Sequence, residues 1–275
     1  MSLSIQGKTA IITGAANGVG LAIARHFAAH GANVICADMD EDKLIEEWGE
    51  NPDPDAEEAS NTRYFAGDLR EKLTIANLLS ATIDAFDRVD ILVNASRQVM
   101  TADPLDSDDQ TVQLLLDQNL MTSLRLSQAV AARMMKQGED LGEDDQDEPL
   151  GAIVNLSSIA STRTQPGLLA FSIASAALDQ MTRSLAVALA PHRIRVNAVS
   201  FGSVMSASLM DALRQTPERR VDVIEGTPLG RIASAGEVAE AVQFLSSDGA
   251  SFMTGHVMVV DGGRSLCDVV GDPAH

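Results

Sequence analysis

Thr13-Gly14-Ala15-Ala16-Asn17-Gly18-Val19-Gly20 (TGAANGVG, 13–20) is the stretch on which the reading of this chain turns. It follows an apolar, β-branched run, KTAIIT (8–13), and leads into a helical stretch over 18–30. A strand-to-helix turn this tight needs positive φ or no Cβ, which Gly14, Gly18 and Gly20 supply at low cost. The backbone can then approach a phosphate, and the free N–H groups and positive dipole end of the helix face it. Asp38 ends the next apolar run, 24 residues after Gly14. In dinucleotide folds such a carboxylate accepts hydrogen bonds from the adenosine ribose and repels a 2′-phosphate. The plainer reading of Asp38 is a turn residue or cap at the head of the helical stretch over 40–48.

Outward from this loop, the same alternation continues. Apolar runs follow at 32–38, 63–68, 90–95, 151–157, 193–200 and 256–263. Each is nearly continuous rather than alternating, as expected of parallel strands covered on both faces. Helical stretches lie between them over 40–48, 70–86, 107–136, 170–190 and 234–246. Such alternation predicts an α/β fold: a three-layer, doubly wound, Rossmann-type domain with a seven-stranded parallel sheet. No internal repeat or interdomain linker interrupts it, so residues 1–275 are read as one domain. Two polar, acidic segments, 49–62 and 137–149, cannot bury apolar area and read as surface loops.

The chain carries 20 Lys+Arg and 39 Asp+Glu, a formal net charge of −19. Such a field repels nucleic acid and anionic membranes. It reads either as a solvated acidic surface or as attraction for a cationic partner. No apolar run reaches the roughly 18 residues of a membrane span. The opening residues run straight into a strand pattern without a signal-peptide pattern. Two cysteines, Cys36 in an apolar run and Cys267, fit a reducing cytoplasm rather than a disulfide framework. No His, Cys, Asp or Glu cluster has metal-ligand spacing, so no metal is expected.

The TGxxxGxG spacing resembles the signature of the short-chain dehydrogenase/reductase family, in its ketoacyl-reductase-like branch. Further segments resemble the family's motifs in order: GDL (67–69), ILVNAS (91–96), IVNLSS (153–158), RVNAVSFGSV (195–204), TPLGRIASAGEVA (227–239) and VVDGG (259–263). The resemblance implies an oxidoreductase that moves a hydride between a nicotinamide dinucleotide and a carbonyl or alcohol. It places Gly14, Asn17, Gly18 and Val19 at the phosphates, Asp38 at the ribose, and Asp68 and Leu69 at the adenine. Asn94 would support the loop beneath the nicotinamide ribose. Gly202 and Val204 would meet the carboxamide, and Ser206 matches a cofactor-contacting threonine. Asn17 and Met39 are uncharged where NADP-binding relatives often carry a cation, so NAD(H) is expected over NADP(H). The family also implies a homotetramer, or a mixed tetramer with a paralogue, through the long helices and the last strand.

The catalytic side of the resemblance is incomplete. Asn119 and Ser158 match the family's asparagine and serine. The tyrosine is expected 13 residues after Ser158 and the lysine four later, where Phe171 and Ser175 stand. Flanking Ala170, Ala176, Ala177 and Leu178 fix the register. Hydride transfer to a carbonyl needs a proton, which the phenol supplies and the ammonium tunes. A missing general acid costs about 10²–10⁴ in rate. Losing both together is coherent, since a lone buried ammonium is costly. Arg97 replaces a glycine in the fourth-strand loop. It reads either as an anion or carboxylate contact in the pocket, or as a side chain turned to solvent or paired with Asp103. Arg163 is a second candidate cation at the pocket rim. Three functions follow: a slow, atypical NAD(H)-dependent oxidoreductase acting on a small molecule; an inactive dinucleotide-holding sensor; or a structural subunit of a mixed tetramer.

Overall fold

The apolar runs become strands of one sheet, and the computed structural model describes residues 2–51, 60–139, 148–205 and 218–268. The chain begins with β1 (Thr9–Thr13), buried along its whole length, then α1 (Gly18–Ala29). β2 (Asn33–Asp38), α2 (Glu41–Trp48), β3 (Thr62–Ala66) and α3 (Lys72–Phe86) complete the first half. The second half has β4 (Ile91–Asn94), α4 (Thr111–Leu115), α5 (Thr122–Glu139), β5 (Gly151–Ser158), α6 (Leu169–Leu189) and β6 (Ile194–Phe201). It closes with β7 (Val204–Met205), α7 (Glu218–Glu225), β8 (Ala233–Ser234), α8 (Ala235–Ser246) and β9 (Val257–Val260).

The central sheet has seven strands in the order β3-β2-β1-β4-β5-β6-β9, all paired in parallel. The expected three-layer Rossmann-type fold is therefore present. Successive side chains of a strand point to opposite faces, and both faces are buried. Ile12, Val34 and Val93 meet Ile23 and Phe27 of α1 and Val238 and Val242 of α8 on one face. Ile11, Ile35 and Leu92 meet Leu78 of α3 and Leu126 and Val130 of α5 on the other. Each such fully buried side chain stabilises the fold by about 1.5–3 kcal/mol. One group of buried polar side chains is satisfied in series. Asn94 donates to Ser127 Oγ (3.0 Å) and Asn155 Oδ1 (2.8 Å), and Asn155 donates to Thr182 Oγ1 (2.9 Å). That chain ties β4 and β5 to α5 and α6.

Some boundaries differ from expectation. The helical stretch over 107–136 starts only at Thr111, and a π-helical segment (Leu116–Met121) divides α4 from α5. The last strand stops at Val260, because Gly262 (φ 65°) and Gly263 (φ 88°) turn the chain out of the sheet. The short parallel pair β7–β8 and helix α7 have no counterpart in the sequence reading. The centres of the two acidic segments, 52–59 and 140–147, lie outside the described residues, as does Ser206.

The strand order reverses between β1 and β4, because β2 and β3 extend one way and β4 onward the other. In open α/β sheets that switch point, at the carboxyl ends of the strands, is where ligands bind.

Candidate active site

At the switch point the glycine loop is built as its composition requires. Gly14 has φ 68°, and a Cβ there would stand 2.9 Å from the Cα of Ser96. A Cβ on Gly20 would stand 2.2 Å from the Gly14 carbonyl oxygen. Asn17 precedes α1 without bonding its N–H groups, and no acidic residue occupies the first turn. The amide of Ala15 donates to the Ala37 carbonyl (3.2 Å), and that of Ala16 to the Asp38 carboxylate (3.1 Å). The same carboxylate also accepts from the amides of Met39 (2.7 Å) and Asp40 (3.2 Å). Asp38 is thus a turn residue as well as a cleft residue. The cap of α2 is Asp40, which accepts from the Lys43 amide at 3.2 Å.

A cleft of about 570 Å³ runs along this edge, lined by Gly14, Asn17, Gly18, Val19, Asp38, Asp68 and Leu69. Seven of the ten described residues expected at the cofactor therefore share one cleft. The Asp68 carboxylate is gripped by the Arg70 guanidinium (2.5 Å), which holds it below the usual carboxylate range. Asn94 lies beneath, with its side chain turned into the polar chain between α5 and α6. Gly202 packs towards Asp261 and Ile159, and Val204 is buried. The cleft suits a dinucleotide: a turn without Cβ atoms, an uncapped helix N-terminus and a carboxylate beyond it.

The loop after β4 is clamped from two sides. The buried Thr13 hydroxyl accepts from the amides of Ala95 (3.0 Å) and Ser96 (2.9 Å). Asn119 accepts from the Gln98 amide and donates to the Gln98 carbonyl, both at 2.8 Å. It does so from the π-helical segment, a distortion common at functional sites. The Asn119 side chain thus holds the Gln98 backbone through its oxygen and one N–H. Thr13 was not singled out by its sequence position, although a hydroxyl ending an apolar strand just before the glycine was the available signal.

Between those clamps stands Arg97. Its Nη1 donates to the Ser157 carbonyl (3.1 Å), and its Cζ lies 4.2 Å from the Phe201 ring centre and 5.6 Å from that of Phe171. The residue as a whole keeps intermediate exposure, yet desolvation pulls its guanidinium pKa down to about 10. No carboxylate pairs with it among the described residues, and Asp103 accepts from the Leu105 amide instead. Both bland readings of Arg97 thus give way to an inward one. Arg163, expected at the rim, donates to the carbonyls of Ser265 and Cys267 and fastens the C-terminal segment.

Phe171 and Ser175 lie one turn apart on α6, and the Ser175 hydroxyl donates to the Phe171 carbonyl (2.8 Å). Together with Asn94, Arg97 and Asn119 they line a cavity of about 10 Å³, room for about one water. Ser158, at the end of β5, is 8% exposed and accepts from the Ala160 amide (3.2 Å). It stands in register with Phe201 but does not line that cavity. Among the described residues no three His, Cys, Asp or Glu side chains cluster as metal ligands, and no helix is long and apolar enough to cross a membrane.

Comparison with known proteins agrees with this geometry. A family model described as enoyl-(acyl carrier protein) reductase matches residues 14–265. Oxidoreductase UcpA of Escherichia coli (strain K12) is 32% identical over 274 residues, covering 97% of each chain. The 3-oxoacyl-[acyl-carrier-protein] reductase FabG of Thermotoga maritima is 30% identical over 95% of this chain and 99% of its own. L-fucose dehydrogenase of Mus musculus is 30% identical over 94% of this chain and 89% of its own. Among solved structures, gox2181 superposes with a TM-score of 0.84 at 30% identity, over 96% of this chain and 98% of that one. A short-chain type dehydrogenase/reductase from Mycobacterium ulcerans gives 0.82 at 27% identity, over 96% and 91%.

Proposed function

Because the chain belongs to the short-chain dehydrogenase/reductase family of oxidoreductases, whose members use nicotinamide cofactors, we propose that it binds NAD(H) in preference to NADP(H) and slowly interconverts a carbonyl and an alcohol. The observation that carries this reading is the cleft itself. One wall is the uncapped start of α1 behind Gly14 and Gly18; further along stands Asp38, with uncharged Met39 beside it. A ribose hydroxyl pair suits that carboxylate, and a 2′-phosphate does not.

When bound, the nicotinamide supplies or accepts the hydride. The rest falls to this chain's residues. Thr13 and Asn119 fix the loop over 95–98, and Ser158 orients the carbonyl from the end of β5. Phe171 and Ser175 shape the pocket but carry no proton of useful acidity, so the proton arrives through water. That arrangement makes turnover slow rather than absent. The names of the relatives, dehydrogenases and reductases, support an enzyme over a dinucleotide-holding subunit. The molecule assembles as a homotetramer. Val187 on α6 and Val259 on the edge strand β9 are more than half exposed, and Phe252 is fully exposed, leaving apolar surface for a second copy.

Calorimetric titration with NADH, and with NADPH as control, tests the cofactor reading. NADH is expected to bind in the micromolar range and NADPH at least about tenfold more weakly, a gap of roughly 1.4 kcal/mol. Equal affinity for the two removes the role given to Asp38. No binding of either removes the reading altogether.

A further inference from the structure

We propose that Arg97 is the anion-binding residue of the substrate pocket, and that the substrate is a carbonyl compound or alcohol carrying a carboxylate. The substrate class rests on the oxidoreductase reading above; the anion site does not.

Four observations lead there. First, Arg97 stands on a loop held on both sides, by Thr13 at residues 95 and 96 and by Asn119 at residue 98. Its position is therefore built and not incidental. Second, the guanidinium is partly desolvated and has no counter-ion among the described residues; the Ser157 carbonyl accepts one of its N–H groups. A partly buried, unpaired charge costs stability, and an anionic ligand would offset that cost. Third, one hydrogen bond and two aromatic faces fix the planar group, leaving the other N–H donors for a ligand. A fixed guanidinium fork matches a carboxylate bidentately. Fourth, the anchors lie on β5, β6 and α6, whereas the glycine loop and Asp38 belong to β1 and β2, with β4 between. The guanidinium thus borders the same cleft as the glycine loop and Asp38, but is anchored on the side of β5 and β6 rather than of β1 and β2.

The cavity of about 10 Å³ beside Arg97 has room for about one water, so an anion reaches the guanidinium from the open cleft that Arg97 also lines. Phe171 and Ser175 behind it are neutral, so nothing on α6 at those positions competes with Arg97 for the anion or repels its charge. A neutral polyol would gain little from such a site.

The test is calorimetric titration of the full chain with oxamate, a small planar carboxylate, with neutral acetamide as control, both in the free and the NADH-saturated protein. Wild type is expected to bind oxamate and not acetamide. Arg97→Gln should weaken oxamate at least about tenfold, the loss of a charge-assisted bidentate pair, and weaken NADH by a smaller factor. Oxamate binding that is absent in wild type, or unchanged in the variant, overturns the proposal. So does a loss confined to NADH, which would assign the guanidinium to the dinucleotide. If wild type binds no NADH while oxamate binding to the free protein still depends on Arg97, the anion site stands and the cofactor reading falls. Should Arg97→Gln fail to fold, Arg97→Lys keeps the charge without the fork; oxamate weakened several-fold supports the proposal, and unchanged affinity overturns it.

Discussion

Phe171 lacks the hydroxyl of a tyrosine, and Ser175 carries a short hydroxyl where a lysine has a four-carbon arm and an ammonium, but restoring both would not restore the site. The new ammonium at 175 would enter the cavity that the Arg97 guanidinium already borders. Two like charges in a poorly solvated space repel strongly. Phe171→Tyr with Ser175→Lys is therefore expected to gain little, and the triple variant with Arg97→Gly to raise NADH-dependent ketone reduction by about 10²-fold. Steady-state turnover over a panel of ketones reads this; a double variant as active as the triple contradicts it. The shape of the cleft was legible in the sequence, and seven of the residues expected there line it together. A missing Cβ at Gly14 or Gly20, and a carboxylate at the end of a strand, have consequences fixed by the backbone. Arg97 was legible only as a question. A long flexible side chain reaches solvent, Asp103 or the pocket from one backbone position, and only the packing of Phe201 and Ser157 decides. Arg163 shows the same ambiguity resolved the other way, outward onto the C-terminal segment.

Elements were easier to read than their irregularities. The inner strands of the main sheet are covered on both faces, so their apolar runs stand out whatever their neighbours. The π-helical segment at Leu116–Met121 left no such trace, because one extra residue in a turn preserves a helical pattern on either side of it. β7 and β8 span two residues each, too few to show a period. Local chemistry does set the start of α8. Ser234 accepts from the Glu237 amide, and Glu237 accepts back from the Ser234 amide (2.9 Å), a reciprocal cap. Arg231, and then the Ser234 amide, pull the Glu237 carboxyl down to about 2. Its folded pKa lies below the unfolded value of about 4.3. The cap's charged contribution is thus complete above that value and is lost as pH falls towards 2. Glu237→Gln should therefore lower the urea midpoint at pH 7, with the gap from wild type narrowing below about pH 4 and closing only as pH falls through about 2. Parallel midpoints across that range would mean that the carboxylate's charge does not matter to α8.

A net charge of −19 acts on every ligand before any single residue does. A dinucleotide and a carboxylate are both anions, and both must approach through that field to reach a cleft whose attraction is local. Salt screens the long-range repulsion over about 8–10 Å at physiological strength and leaves short contacts nearly intact. NADH affinity is therefore expected to rise by about two- to threefold between 20 and 300 mM NaCl; a fall over that range would mean that local cations dominate. Inside the cleft the Thr13 hydroxyl has a different consequence. It ends the strand that carries the glycine loop and receives the loop that carries Arg97. The two proposed ligand sites thus share one clasp. Whatever factor one ligand adds to the other's affinity must be returned in full. Cutting that hydroxyl would uncouple the two sites without removing a single group that touches either ligand.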